Sequence, residues 1–370
     1  MFIGIALCLD AYLVVSCLGA YFETAPVFFW LLFFAFQVLF SSQVWLYFVF
    51  FKSEATEKIR FENALRSFAF HGMGVISFLS CFTIIRDFLA LLFLAFQSAH
   101  LLYGAIPSSC ILFLTFLAYC IGAWNAKFRI ESPKVEITLP SLPASLEGVR
   151  IAQLSDMHLG TGPRPTQIKR LVDQTLSLKP DLIVLTGDIF DGQIEEIGPE
   201  ISELARLRAE HGVYFVLGNH ECYWDWKACV ATVENLGFIP LLNVGVSVNI
   251  RGKSIYIAGL TDPAAPHAGG EAPQIPMPPS ISSFNLMLVH QPQFATKVAA
   301  YPYHLQLSGH THGGQFFPWN LAVKKMYSIS GGLGREKNLW VYVSHGSGYW
   351  GPPLRLGTQG EVTELILKRE

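Results

Sequence analysis

Residues 2–22, 26–51, 68–97 and 105–124 are apolar runs long enough to dictate where they can sit. Crossing the hydrocarbon of a bilayer takes about 20 helical residues, and in lipid a single apolar segment satisfies its backbone only by coiling into a helix. The expected architecture over residues 1–125 is therefore a four-helix transmembrane region. Apolar residues make up 51% of the 370-residue chain and concentrate in this part, so the remainder reads as a soluble domain.

The third run carries Arg86 and Asp87. Charges in lipid are costly unless paired or turned toward other helices, so a structural pair near one interface is expected. They are also the only support for a different class of function, a transporter or sensor regulated by the soluble domain. Val14-Val15-Ser16-Cys17 loosely resembles a lipoprotein box, but no Lys or Arg precedes it and Asp10 interrupts the run. No cleaved signal is expected. Lys52, Lys58, Arg60 and Arg66 lie between the second and third runs, and Lys127 and Arg129 follow the fourth. By the positive-inside rule both segments, and the soluble domain, face the cytoplasm.

Lys and Arg number 26 against 28 Asp and Glu, which argues against a nucleic-acid partner. The seven cysteines show neither zinc-type spacing nor a disulfide framework.

Residues 126–148 read as a linker with an edge strand in which Val135, Ile137 and Leu139 alternate. From residue 149 strands and helices take turns. A strand over 149–154 ends at Asp156-Met157-His158, one over 181–186 at Gly187-Asp188, and one over 213–217 at Gly218-Asn219-His220-Glu221. Helical spacing fills 165–179 and 199–211 between them. Such a pattern predicts a parallel sheet covered on both faces, with functional groups at the carboxyl ends of the strands. Further strands end at His290, at Gly309-His310-Thr311-His312 and at Ser344-His345, after a hairpin around Arg251-Gly252.

Asp156, His158, Asp188, Asn219, His220, His290, His310 and His312 thus gather at strand ends. Asp and Asn close strands because they favour turns, but that does not account for the histidines beside glycines. Imidazole mixed with carboxylate suits Mn, Fe or Zn better than Mg or Ca, and the lack of thiolates argues against a structural zinc.

In this order the motifs Asp156-x-His158, Gly187-Asp188-x-x-Asp191, Gly218-Asn219-His220-Glu221, His290 and Gly309-His310-x-His312 resemble those of the calcineurin-like metallophosphoesterases. The run over 146–156, His312-Gly313-Gly314-Gln315 and Gly351-Pro352-Pro353-Leu354-Arg355 are similar to the membrane-attached YkuE-type branch. The resemblance implies a four-layer αββα sandwich over residues 149–370 and two divalent cations, Mn first. It places one ion on Asp156, His158, Asp188 and His312, and the other on Asp188, Asn219, His290 and His310, with Asp188 shared. A hydroxide between the ions would then attack the phosphorus in line. His220 would steady the oxyanion or protonate the leaving oxygen, while Asp191 and Glu221 would orient ligating imidazoles. His345, His304, His267 and His211 are expected to be structural or on the surface.

The membrane region makes a lipid-linked phosphoester the economical substrate. Among family activities, UDP-2,3-diacylglucosamine pyrophosphatase of lipid A synthesis fits a cytoplasm-facing, multi-pass protein of the bacterial inner membrane. A broad-specificity membrane phosphodiesterase is the alternative. Tyr223, Trp224, Trp226, Phe316, Phe317, Pro318 and Trp319 suit a membrane interface or an acyl chain, or pack under loops. Arg335 and Lys337, with Lys324 and Lys325, are candidates to meet substrate phosphate or a nucleotide.

Overall fold

A computed structural model describes residues 2–22, 24–52, 59–94 and 98–370. The chain divides into two compact units, Met1–Ala123 with Gly351–Leu354, and Trp124–Trp350 with Arg355–Glu370.

The first unit contains α1 (Phe2–Leu13), α2 (Pro26–Lys52), α3 (Ile59–Phe93) and most of α4 (Ala105–Phe128). Among the described residues three helical stretches, not four, are long and apolar enough to cross a membrane: Pro26–Gln43, Ala64–Leu94 and Ala105–Phe128. Over the residues whose side chains are described, the first run contributes the apolar helical stretch Leu7–Tyr21. Its 12-residue α-helix measures about 18 Å and passes into a π-helix over Val14–Leu18 and a 3-10 turn over Gly19–Tyr21. The third helix begins at Ile59 rather than at 68. Gln97, the expected end of that span, and Lys58 of the basic loop lie outside the described residues.

Arg86 and Asp87 satisfy each other. Arg86 Nε donates to Asp87 Oδ1 at 2.7 Å and Nη1 donates to the Ser16 carbonyl at 2.7 Å. Tyr12 Oη donates to Asp87 Oδ2 at 2.6 Å. Ser16 lies within the π-helix, where carbonyls leave the regular ladder and accept from elsewhere. Breaking a buried pair by removing one partner costs about 3–5 kcal/mol. Asp87→Asn alone is therefore expected to lower the thermal midpoint of the detergent-purified protein. Arg86→Gln with Asp87→Asn is expected to leave phosphodiester turnover within about twofold. Loss of turnover in a double variant of unchanged midpoint would return the transporter or sensor reading.

The second unit starts with β1 (Ile130–Glu131) and β2 (Lys134–Leu139), and continues through β3 (Arg150–Leu154), β4 (Leu182–Thr186), β5 (Val213–Val216), β6 (Ile239–Pro240), β7 (Val244–Ile250) and β8 (Lys253–Gly259). It is completed by β9 (Phe284–Leu288), β10 (Leu305–Ser308), β11 (Gly332–Glu336), β12 (Leu339–Val343), β13 (Gly360–Glu361) and β14 (Thr363–Arg369). Two six-stranded sheets have the orders β2-β14-β3-β4-β5-β6 and β11-β12-β10-β9-β8-β7, and β1 pairs with β13. Both sheets are mixed. The run β3 to β6 is parallel, as its alternation with helices predicts, whereas β14 runs antiparallel to β3. In the other sheet β7 and β11 are the antiparallel edges.

Period-two alternation decides which face each side chain joins. Ile151, Leu182 and Val184 enter the core between the sheets with Ile257, Leu286 and Leu307. Their neighbours Ala152, Ile183 and Leu185 pack outward, on Ile168 and Leu171 of α5 (Pro165–Ser177), Leu204 of α6 (Gly198–Leu204), and Val233 of α8 (Trp226–Asn235). Each such side chain, fully buried, contributes about 1.5–3 kcal/mol. The outer face of the second sheet carries a thinner layer built from Phe294 and from Ala295 and Val298 of α9 (Ala295–Val298). Helix α6 stops short of the expected 211, because after Leu204 the chain tightens into i to i+3 turns at Arg206 and Leu207.

Candidate active site

The carboxyl ends of β3, β4, β5, β9 and β10 meet at one end of the sandwich. They deliver Asp156 and His158, Asp188, Asn219, His290, and His310 and His312, respectively. Asn219 opens α7 (Asn219–Tyr223). Asp156, His158, Asp188, His310 and His312 all have φ between 49° and 73°, a left-handed backbone that ordinary side chains avoid. Such strain costs about 1 kcal/mol or more per residue and concentrates at functional sites. It turns each side chain inward just past its strand.

Among the described residues three donor groups result: Asp156, His158 and His312 form the first, Asp188, His290 and His310 the second, and His158, with Asp191 and His220, belongs to a third. In the first, His158 Nε2 lies 3.1 Å from His312 Nε2, which is 3.4 Å from Asp156 Oδ1. In the second, His290 Nε2 lies 3.0 Å from Asp188 Oδ2, and His310 Nδ1 lies 3.0 Å from Asn219 Oδ1. The same Asp188 oxygen is 4.0 Å from His158 Nε2, so one carboxylate faces both of these groups. The other oxygen, Oδ1, accepts from the backbone N–H of His220 at 2.8 Å.

Do these side chains fit cations? His290 Nδ1 lies 2.9 Å from the Thr186 carbonyl and donates to it, leaving Nε2 as the lone-pair side. That buried Nε2 has no hydrogen bond and points at a carboxylate. Neutral imidazole nitrogens and carboxylate oxygens at 3.0–3.4 Å match the spacing that donors about 2.1 Å from a shared cation adopt. Burial, then the charge of His158, hold His312 well below the usual imidazole range; burial, then His290, lower His310 to about 4. Both therefore offer lone pairs. Burial opposes a charge on His290, yet Asp188 raises it well above the usual range. Without metal, Asp188 draws a proton to the place a cation would take. The donor set fits.

Asp191 faces the outer nitrogens of two imidazoles. His220 Nδ1 is 2.9 Å from its Oδ1 and His158 Nδ1 is 3.3 Å from its Oδ2. Trp224 Nε1 and Thr161 Oγ1 also donate to it. Glu221 has a different job from the expected one. Its carboxylate accepts from four backbone N–H groups, of Gly218 at 2.7 Å, Ile189 at 2.6 Å, Phe190 at 2.9 Å and Asp188 at 3.0 Å. It ties the turn after β4 to the turn after β5, and so orients ligand backbones rather than imidazoles. Gly218 must be glycine, since a Cβ there would overlap the Asp188 carboxylate. Gly309 is held likewise, by Ser155 and Asp156.

Arg335 and Lys337 are not at the site. Arg335 pairs with Trp340 and lies over its ring, and Lys337 is in the turn before β12. That is the amino end of β12, whereas the donors sit at carboxyl ends. Strand register separates them, and sequence spacing alone did not contain it. Trp226 packs under a loop, donating to the Ala268 carbonyl. Tyr223 and Trp350 flank the His220 ring.

Arg355 is a residue whose role sequence reasoning missed. Fully buried, it donates to the carbonyls of His312, His345, Gly346 and Gly348, and its Nη2 is 3.4 Å from His312 Nδ1. It binds the loop after β12 to the turn bearing His312. The one signal was an arginine in an otherwise apolar closing segment.

Residues 149–314 match the family profile described as calcineurin-like phosphoesterase. A Bos taurus transmembrane protein with metallophosphoesterase domain is 33% identical, over 71% of this chain and 62% of its own length. The Danio rerio protein of the same name is likewise covered over 62% of its length, at 31% identity, so the chain spans less than two thirds of these relatives. An uncharacterized metallophosphoesterase of Campylobacter jejuni is 33% identical over 70% of this chain and 69% of its own. The uncharacterized Bacillus subtilis metallophosphoesterase YkuE is 31% identical over 65% and 86%.

Proposed function

The chain belongs to the calcineurin-like phosphoesterase family, and from that premise we propose that it is a membrane-bound dimetal hydrolase of a lipid-linked phosphodiester or pyrophosphate. The observation that carries the reading is Asp188 Oδ2 facing both donor groups, with the buried His290 Nε2 otherwise unpartnered.

One ion would be held by Asp156, His158, His312 and Asp188, the other by Asp188, Asn219, His290 and His310. Two divalent cations, Mn first among Mn, Fe and Zn, would neutralise phosphoryl oxygens and make water nucleophilic at neutral pH. The chain's residues do the positioning. The Thr186 carbonyl accepts from His290 Nδ1 and so turns Nε2 toward Asp188, while Asp191 lies beside His158 Nδ1 and leaves Nε2 facing the donors; a cation would take the place of the proton on His290 Nε2. Asp191 also receives His220 Nδ1, which leaves Nε2 as the atom that hands a proton to the leaving oxygen.

His220→Ala is accordingly expected to slow an alkyl phosphodiester by about 10²–10⁴-fold. An aryl diester, whose leaving group needs no proton, should slow by less than about tenfold. Equal losses for both would assign His220 to structure instead.

Lys52, Arg60 and Arg66 lie before or in the first turns of α3, and Lys127 and Arg129 at or just past the end of α4, so two crossings would put both basic groups on one face whether or not α1 crosses. The positive-inside rule then puts the catalytic unit in the cytoplasm, at the inner membrane if the source is bacterial. UDP-2,3-diacylglucosamine is the first lipid to assay, with the full chain in detergent and added Mn. Release of UMP supports it. Cleavage of bis-p-nitrophenyl phosphate without UMP release rejects that substrate and keeps the broader phosphodiesterase.

A further inference from the structure

We propose that α10 (Trp319–Met326) is a docking helix for an anionic bilayer surface, which holds the metal centre at the level of lipid headgroups. This deepens, and rests on, the reading of a lipid-linked substrate.

Among the described α-helices of the second unit, α10 alone has no buried residue. Trp319 and Leu321 are each 52% exposed and Met326 is 74% exposed. Trp319 and Met326, seven residues apart, share a helical face. Lys324 and Lys325 are exposed beside them, and the sequence WNLAVKKM contains no acid. A helix that faced only water would be polar around its whole circumference. Tryptophan, aliphatic side chains and paired lysines are instead the composition of a helix lying in a membrane interface.

A bilayer is favoured over a second copy of the chain on two grounds. The candidate span α4 ends at Phe128 and β1 begins at Ile130, so the second unit is tethered to the membrane almost without a linker. Two uncompensated lysines match anionic headgroups, at about 1 kcal/mol each.

The helix is also joined to the chemistry. It starts directly after Gln315-Phe316-Phe317-Pro318, and a side chain at Gly314 would run into the backbone of Trp319 and Asn320. The His312 turn and the first turn of α10 therefore move together. Lipid beneath α10 would lie alongside the turn that carries His312.

The test is hydrogen exchange by mass spectrometry on the full chain in nanodiscs, of phosphatidylcholine alone or mixed with phosphatidylglycerol. Amides of α10 are expected to exchange about tenfold more slowly in the mixed discs. Leu321→Glu with Met326→Glu should lose that protection, and Lys324→Gln with Lys325→Gln, both on the exposed surface, should lose its dependence on lipid charge. Equal exchange in both lipids for wild type and variants would overturn the proposal. Protection that follows protein concentration rather than lipid charge would overturn it too, and assign the face to a second copy. Neither substrate nor metal enters this readout, so it fails or succeeds independently of UMP release.

Discussion

Asp188→Asn is expected to lower kcat by about a thousandfold or more, equivalent to roughly 4 kcal/mol of transition-state stabilisation, while leaving the metal-free protein at least as stable as the wild type. Its Oδ1 accepts from the backbone of His220, and an asparagine oxygen keeps that bond. At the Oδ2 position the amide would offer N–H groups to the unpartnered His290 Nε2. A repulsive or proton-demanding contact becomes a neutral hydrogen bond, whereas the negative charge shared by both donor groups is gone. Opposite signs for activity and stability separate a ligand from a structural aspartate. Measuring kcat with Mn and the thermal midpoint in chelator checks both. Retained turnover, or a large fall in midpoint, would remove Asp188 from the centre.

Glu221→Ala should act in the other direction, on folding. Four buried backbone N–H groups lose their acceptor, at about 1–3 kcal/mol each when nothing replaces it. A loss of roughly 4 kcal/mol or more lowers the midpoint of a domain this size by about 10 °C. Glu221→Gln keeps one oxygen and should lie between. Burial and then the charge of Asp188 push the carboxyl up to about 7, while the Phe190 and Gly218 N–H groups pull it back. Activity would fall along with stability, since Asp188 and Asn219 sit on the two turns that Glu221 joins. An unchanged midpoint in Glu221→Ala would show that water or backbone rearrangement fills the gap, and would leave Glu221 no structural role.

What the sequence made legible is local to each strand. Donors such as Asp156 and His158 follow directly on an alternating apolar run, so their place at a carboxyl end needs no knowledge of the rest of the chain. The hairpin at Arg251-Gly252 is similar, with both residues at positive φ between paired Ile250 and Lys253. What stayed hidden depends on register or on distant partners. Glu221 binds backbone more than thirty residues away at Asp188 and Ile189. Arg355 serves carbonyls on two separate turns. Arg335 and Lys337 follow an active-site turn in sequence, but the β11–β12 hairpin carries them to the far end of the sheet.

The central claim is that the strand ends hold two cations in two donor groups joined by Asp188. Its most direct test is the number of Mn ions bound per chain, measured on metal-stripped, detergent-purified protein by titration and elemental analysis. The wild type should bind two, and His312→Ala and His290→Ala should each bind one, from different groups. One ion in the wild type, or two in either variant, would contradict the account.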